Sequence, residues 1–250
     1  MSDDGIRAYD LPERVASYDA DMDVMHPNRS KMIQVMLGFL SESVEDEFTV
    51  LELGAGTGYF TAHLLGAFPW AHVIGIDGAS RMVEIARARL GPLADRVEFV
   101  VADFRRTASL TIEPGTVRAA VSSYALHHLS AEEKTSVLRE VSGILEPGGW
   151  FLNADLVVAE STEVEALIQR LRVRGIVERA APGDARFADE QTTRRFLDDL
   201  EAREGDQPLT VDADLTILQS AGLTDASVLW LEHREAVVAA RRPLIPGSLP

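Results

Sequence analysis

An α/β fold with a mostly parallel sheet is predicted by three features of the chain. Short apolar runs of strand character alternate with stretches of helical periodicity, the pattern of βαβ units with right-handed crossovers. One such run, V-L-E-L, breaks off at glycines 54, 56 and 58 and feeds straight into a helix. The last two runs, A-S-V-L-W-L-E and E-A-V-V-A-A-R, are separated only by His233-Arg234, so they pair antiparallel.

With 250 residues, 46% of them apolar, the chain can bury one large core, and residues 1–250 read as a single domain. Residues 1–45 form a helical cap and residues 160–208 a helical insertion in this reading. No apolar run approaches the roughly 18 residues of a membrane span, and no charged start precedes an apolar stretch. The expectation is a cytoplasmic protein without membrane contact. Having no cysteine excludes thiolate catalysis and cysteine-held clusters, and a formal charge of −16 argues against nucleic acid as a partner.

In chain order, residues 1–10 are polar and read as frayed, and 11–17 as a short helix with Pro12 near its start. Met32, Val35, Met36, Phe39 and Leu40 form one apolar stripe, predicting a helix over 28–40. Val50, Leu51 and Leu53 have the continuous apolar character of a strand buried on both faces. The glycines behind them accept positive φ and let a ligand press against backbone, and the next helix aims its free N–H groups at that ligand.

The spacing of that loop narrows the ligand. A dinucleotide fingerprint reads G-x-G-x-x-G, whereas Gly54, Gly56 and Gly58 read G-x-G-x-G, with Glu52 at the strand end before them. Here the sequence resembles the class I S-adenosylmethionine-dependent methyltransferases, strongly over 48–158 and weakly over 208–241. The resemblance implies a Rossmann-like, seven-stranded, mostly parallel sheet with an antiparallel C-terminal hairpin and a helical lid insertion. It also implies that S-adenosyl-L-methionine is the cofactor, its methionine half held by Gly54, Ala55 and Gly56 with Glu52 near the ammonium. Tyr18 becomes a candidate for the cofactor carboxylate, or equally a tyrosine packed under a lid.

H-V-I-G-I-D is the second buried strand, and Asp77 ends it 21 residues after Gly56, near the separation at which an acid meets a ribose. An N-cap is the other use of Asp77, but Ser80 suits that place better, with the helix running on to Gly91-Pro92. Gly78 is a further cofactor-binding candidate, and by the family pattern Met82 lies on the adenine, although a helical Met is otherwise usually core. V-E-F-V-V-A-D-F is the third strand. The resemblance gives Asp103 to the adenine amino group and Phe104 to the ring face, while a loop-capping Asp is the other reading.

The fourth strand, over 116–124, leads into A-L-H-H-L and a helix opened by the capping box Ser130 to Glu133. By the family pattern Ser123 lies beside the sulfonium. The N/D-P-P-Y/F motif of enzymes methylating DNA adenine and protein glutamine is absent, with Ser122-Ser123-Tyr124-Ala125 in its place. His127 and His128 are candidate proton acceptors; neighbours in an extended chain point opposite ways, so at most one faces the pocket. They are poorly arranged for a metal, and none is expected.

Glu146-Pro147-Gly148-Gly149 reads as a turn before the fifth strand, W-F-L-N-A-D-L-V-V. In the insertion, Val164, Leu167, Ile168 and Leu171 form one helical stripe and Phe196, Leu197 and Leu200 another, split by A-P-G-D. An insertion leaving the carboxyl end of the fifth strand stands over the ligand site, so these faces are expected to shape the acceptor pocket, or else to cover the sheet or a dimer seam. The function read from the chain is methyl transfer to a small-molecule acceptor through an oxygen, nitrogen or carbon nucleophile by direct displacement. A protein acceptor, a non-catalytic S-adenosylmethionine-binding subunit and a nucleotide-dependent oxidoreductase are the competing readings, and a homodimer stays open.

Overall fold

The computed structural model describes residues 3–44, 47–109 and 112–244. Its seven strands are β1 Phe48–Leu53, β2 Ala71–Asp77, β3 Val97–Val101, β4 Val117–Ser123, β5 Leu145–Leu156, β6 Thr224–Glu232 and β7 Glu235–Arg241. They form one sheet in the order β3-β2-β1-β4-β5-β7-β6. β1 to β5 run parallel, and β7 runs antiparallel between β5 and β6. β1 pairs with β2 on one side and β4 on the other, so the strand order reverses there and a crevice opens at the carboxyl ends.

Val50, Leu51 and Leu53 are fully buried because helices cover both faces of the sheet. On one face α3 (Arg29–Ser41) and α4 (Tyr59–Ala67) pack Met32, Met36, Leu40, Phe60 and Leu64 onto β1. On the other, α6 (Ala131–Ile144) and α9 (Val211–Ser220) contribute Val137, Leu138, Val141, Ile217 and Leu218. α5 (Ser80–Leu90) completes the β2–β3 crossover. The insertion is α7 (Thr162–Arg179) and α8 (Glu190–Glu204), whose Val173, Ile176, Leu197 and Leu200 form a small third core with Met25 and Phe187. No described helix is long and apolar enough to cross a membrane.

Several local expectations change. The expected fraying of 1–10 gives way to a helix, α1 (Asp3–Tyr9), because Ile6 and Tyr9 find apolar partners at the sheet; Met1 and Ser2 lie outside the described residues. The helix begun at Pro12 continues as α2 to Met25, which puts Tyr18 on a helix and not on a connecting segment. The Pro147-Gly148-Gly149 turn is a bulge within β5: pairing jumps from Val117–Leu145 to Ala119–Trp150, and Gly148 takes φ +82°. Ser80 does not cap α5. The position before the helix is Ala79, and Asp10 reaches across to accept from the Arg81 N–H at 2.9 Å.

The first stripe of the insertion is not buried. Val164, Leu167 and Leu171 are 46%, 52% and 51% exposed, because α7 meets the small third core through Val173 and Ile176, one turn further on. Phe196 packs edge-on against Phe187. Phe196 lines none of the cavities at the carboxyl end of the sheet, and Leu171 lines only an outer one of about 660 Å³, with Ile168, Leu156 and Arg172.

Candidate active site

The loop after β1 is held open by its glycines. Gly54, Gly56 and Gly58 take φ of +75°, +52° and +70°. A Cβ at Gly54 would meet Ala125 at 2.4 Å, and one at Gly58 would meet Ala86 at 2.9 Å, so those two glycines serve close packing. A Cβ at Gly56 would meet nothing nearer than the Gly54 carbonyl at 4.0 Å. That hydrogen faces open space, where a side chain would intrude upon a ligand.

Asp77 braces this loop from β2. Its carboxylate accepts from the Gly56 N–H and the Ala79 N–H, each at 2.8 Å. Burial raises its pKa, and those two amides counter the shift. Gly78 is where α1 seats: a Cβ there would lie 3.0 Å from Ile6.

Around the loop a cavity of about 470 Å³ is lined by Gly54, Gly56, Asp77, Gly78, Met82, Phe104 and Ser123, and closed from above by Ile6, Tyr9 and Tyr18. A smaller neighbour shares Tyr18, Gly54, Gly56 and Ser123 and adds Glu52, Ala55, Thr57 and Arg29. Glu52 is buried and accepts from the Thr61 hydroxyl at 2.7 Å; burial pushes its pKa up to about 8. Arg29, also buried, lies 3.7 Å over the Tyr59 ring and pairs with Asp19 at 2.9 Å. Asp19 also accepts from the Thr57 hydroxyl at 3.1 Å and pairs with Arg89, so it latches the lid helix α2 to the glycine loop.

Ten of the eleven expected cofactor residues therefore converge here: Tyr18, Glu52, Gly54, Ala55, Gly56, Asp77, Gly78, Met82, Phe104 and Ser123. Asp103 does not join them. Its carboxylate is forked by the Arg105 side chain at 2.6 to 3.0 Å and accepts from the Arg105 N–H, and it lines neither cavity.

The histidines depart from the extended-chain expectation. Leu126–His128 is a 3-10 turn, which sets the two rings side by side with centroids 4.0 Å apart. His127 Nδ1 lies 2.5 Å from Asp155 and its Nε2 3.6 Å from Asp206. Burial lowers its pKa, but the two carboxylates outweigh that and push it up to about 10, so His127 is a cation at neutral pH. His128 is held neutral by burial and by its charged neighbour. It lines the larger cavity, and its Nε2 lies 3.1 Å from the Tyr9 hydroxyl, which donates to Glu204 at 2.9 Å.

A third cavity, of about 380 Å³, adjoins through Tyr9, Tyr18 and Tyr124 and is walled by Met22, Met25, Leu156 and Leu200 with Arg14, Arg172, Glu204 and Asp206. Tyr124 lines all three cavities at φ +52°, its hydroxyl donating to Glu235 at 2.6 Å. A bulky residue held there is strained, and such strain collects at ligand sites. Sequence reasoning missed Ile6, Tyr9, Arg29 and Tyr124. For Tyr124 a signal existed, since it occupies the aromatic place of the absent N/D-P-P-Y/F motif; for the others none did.

The residues present fit S-adenosylmethionine at both ends. The small cavity holds an acid and a guanidinium, suited to an amino-acid zwitterion, and the larger one an acid between apolar walls, suited to a nucleoside. Comparison with known proteins agrees. Residues 50–149 match the family described as "Methyltransferase domain". An uncharacterized methyltransferase of Oceanobacillus iheyensis is 34% identical over 137 residues, covering 54% of this chain and 60% of that protein. One of Bacillus licheniformis is 34% identical over 131 residues, covering 52% and 58%. The matched stretch thus spans about three-fifths of these curated relatives.

Among solved structures, human N-acetylserotonin methyltransferase in complex with SAM aligns at TM-score 0.58 and 16% identity, covering 92% of this chain and 56% of its own. Phosphoethanolamine N-methyltransferase 2 of Haemonchus contortus aligns at 0.59 and 14%, covering 83% and 52%. These two likenesses establish the shared fold, and their differing acceptors show that the fold leaves the acceptor open.

Proposed function

We propose that this chain, whose residues 50–149 match a methyltransferase domain, is a class I S-adenosylmethionine-dependent methyltransferase that transfers a methyl group to a small-molecule acceptor. The observation that carries this reading is the adjacency of cavities: the one bordered by the glycine loop, Asp77, Met82 and Phe104 shares Tyr9, Tyr18 and Tyr124 as a common wall with the lid-covered third cavity. When bound, S-adenosylmethionine supplies a methyl group already activated for displacement by its sulfonium.

The chain's own work is then binding, alignment and exclusion of water. Glu52 and Arg29 are assigned to the ammonium and carboxylate of the methionine end, Asp77 to the ribose hydroxyls, and Met82 and Phe104 to the adenine faces. Ser123 borders the reacting end. Asp103 orders its loop through Arg105. Tyr9, whose pKa burial and Glu204 raise well above the usual value, stays a neutral hydrogen-bond donor at the wall. His128 is the nearer proton acceptor of the two histidines, and His127 supports it as a fixed cation.

A small acceptor is favoured because α1, α2 and α8 close over the third cavity, which mixes apolar walls with Arg14, Glu204 and Asp206. Calorimetry with S-adenosylmethionine, its demethylated product and NADH tests the cofactor. Binding of the first two and not the third is expected, and the reverse pattern refutes the reading. Transfer of radiolabelled methyl into a metabolite pool and not into protein tests the acceptor class.

A further inference from the structure

His127, His128 and Asp206 each offer one ligand atom, and these atoms lie within 4.8 Å of one another. Asp206 Oδ1 stands 3.0 Å from His128 Nδ1 and 3.6 Å from His127 Nε2. The shorter approach is not aligned as a hydrogen bond, and both of its atoms are buried without a hydrogen-bond partner. Two donors that share one ion at about 2.1 Å each sit roughly 2.9 to 3.4 Å apart, so the spacing is close to that of an assembled ligand set.

We propose that His127 Nε2, His128 Nδ1 and the Asp206 carboxylate form a binding site for a divalent first-row transition-metal ion. Two imidazoles and one carboxylate suit zinc, iron, cobalt or manganese and leave coordination positions open.

The surroundings support ligation. The second nitrogen of each ring is engaged: His127 Nδ1 with Asp155 at 2.5 Å, and His128 Nε2 with the Tyr9 hydroxyl at 3.1 Å. Such outer partners fix the tautomer and aim the ligating nitrogen. The loop carrying Asp206 is tied to the histidine turn by Gln207, whose backbone N–H donates to the His127 carbonyl and whose side chain donates to the His128 carbonyl, both at 2.9 Å. The three groups are therefore brought together before an ion arrives, and ion binding displaces the proton that His127 Nε2 carries at neutral pH.

Its open side faces the cavity walled by His127 and Asp206, where the proposed acceptor would lie. An oxygen-bearing acceptor would complete the coordination, an extension that rests on the methyl-transfer reading; the metal site itself does not. With an ion in place neither imidazole is free as a base, so the proton-accepting role given to His128 belongs to the ion-free chain.

The test is titration of the chelator-stripped 250-residue chain with Co²⁺, without S-adenosylmethionine, followed by visible absorption and by metal analysis after gel filtration. One equivalent should bind saturably with d–d bands, and Zn²⁺ should displace it. Asp206→Asn and His128→Gln should abolish that equivalent, and Asp155→Asn should weaken it about 10- to 100-fold. Circular dichroism confirms that each variant is folded. Absence of saturable binding to the wild-type chain overturns the proposal, as does stoichiometric binding that survives in folded His128→Gln or Asp206→Asn. S-adenosylmethionine calorimetry on the stripped chain is read separately, so failure of the metal site and failure of the methyltransferase reading are distinguishable.

Discussion

Glu52 accepts a 2.7 Å hydrogen bond from the Thr61 hydroxyl in a pocket where neither side chain meets bulk water. Burial outweighs that bond and holds the carboxyl at a pKa of about 8, above its ordinary 4.5. The folded chain then keeps a proton that the unfolded chain releases above pH 4.5, so this group's contribution to stability falls as pH rises from 4.5 to 8 and levels off beyond. Urea denaturation of wild type and Glu52→Gln across that range should show a stability difference that shifts steadily in favour of Gln. A ligand ammonium would draw Glu52 into its charged form. Calorimetry at pH 7 in buffers of different ionisation enthalpy should therefore show about one proton released on S-adenosylmethionine binding, and none in Glu52→Gln.

Gly56→Val should abolish cofactor binding while the chain still folds. The branched Cβ would enter the open space before the loop and resist φ +52°. Calorimetric affinity near wild type in a folded variant would show that the loop is not the cradle.

Asp77→Ala should weaken cofactor binding by about 1.5 to 3 kcal/mol, the range for hydrogen bonds to a charged acceptor. Its carboxylate also holds the Gly56 and Ala79 amides, so part of the loss could come through the loop. A cofactor analogue without ribose hydroxyls separates the two: it should lose little affinity in the variant if Asp77 meets the ribose, and as much as the natural ligand if Asp77 acts only by bracing backbone.

Lys134, 2% exposed, pairs with Asp214 at 2.7 Å and ties α6 to α9. Lys134→Met should destabilise the fold by about 3 to 5 kcal/mol, because it strands a buried carboxylate. Lys134→Met with Asp214→Leu should recover much of that loss in denaturant melts. Equal destabilisation by the single and the double variant would mean that packing, and not the stranded charge, sets the cost.

Polar substitution of Leu171 or Phe196 should change turnover by less than about threefold, since Phe196 lines none of the cavities, Leu171 lines only the outer one beside Ile168, and sites away from the reacting groups couple weakly. Leu200→Asp and Tyr9→Ala should depress turnover strongly, because both residues wall the cavity assigned to the acceptor. A steady-state assay with the identified acceptor decides it, and the opposite ranking would return the acceptor pocket to the exposed face of α7.

The sheet was legible because its strands are written locally. Buried β1 shows as the unbroken apolar run at Val50, Leu51 and Leu53, and the β6–β7 hairpin as two runs with a two-residue link. Gly56 and Asp77 were legible because turn geometry and strand length set how far apart a loop and the next strand end must fall. The register of β7 between β5 and β6, by contrast, comes from contacts between distant segments.

The sequence by itself determined the α/β class, the glycine loop after β1 and the acid at the end of β2, since each depends on residues close along the chain. Only the tertiary structure decided that α1 would seat Ile6 on Gly78, that Arg105 would take Asp103, and that Asp206 would reach His127 and His128 from the end of the insertion. Side-chain charge and hydrogen bonding act through space, and no periodicity along the chain encodes which distant carboxylate will face which imidazole. The same holds for the lid. Apolar spacing at Val164, Leu167 and Leu171 marks a helix face, but whether that face is covered depends on where α7 docks, and Val173 and Ile176 took the core instead.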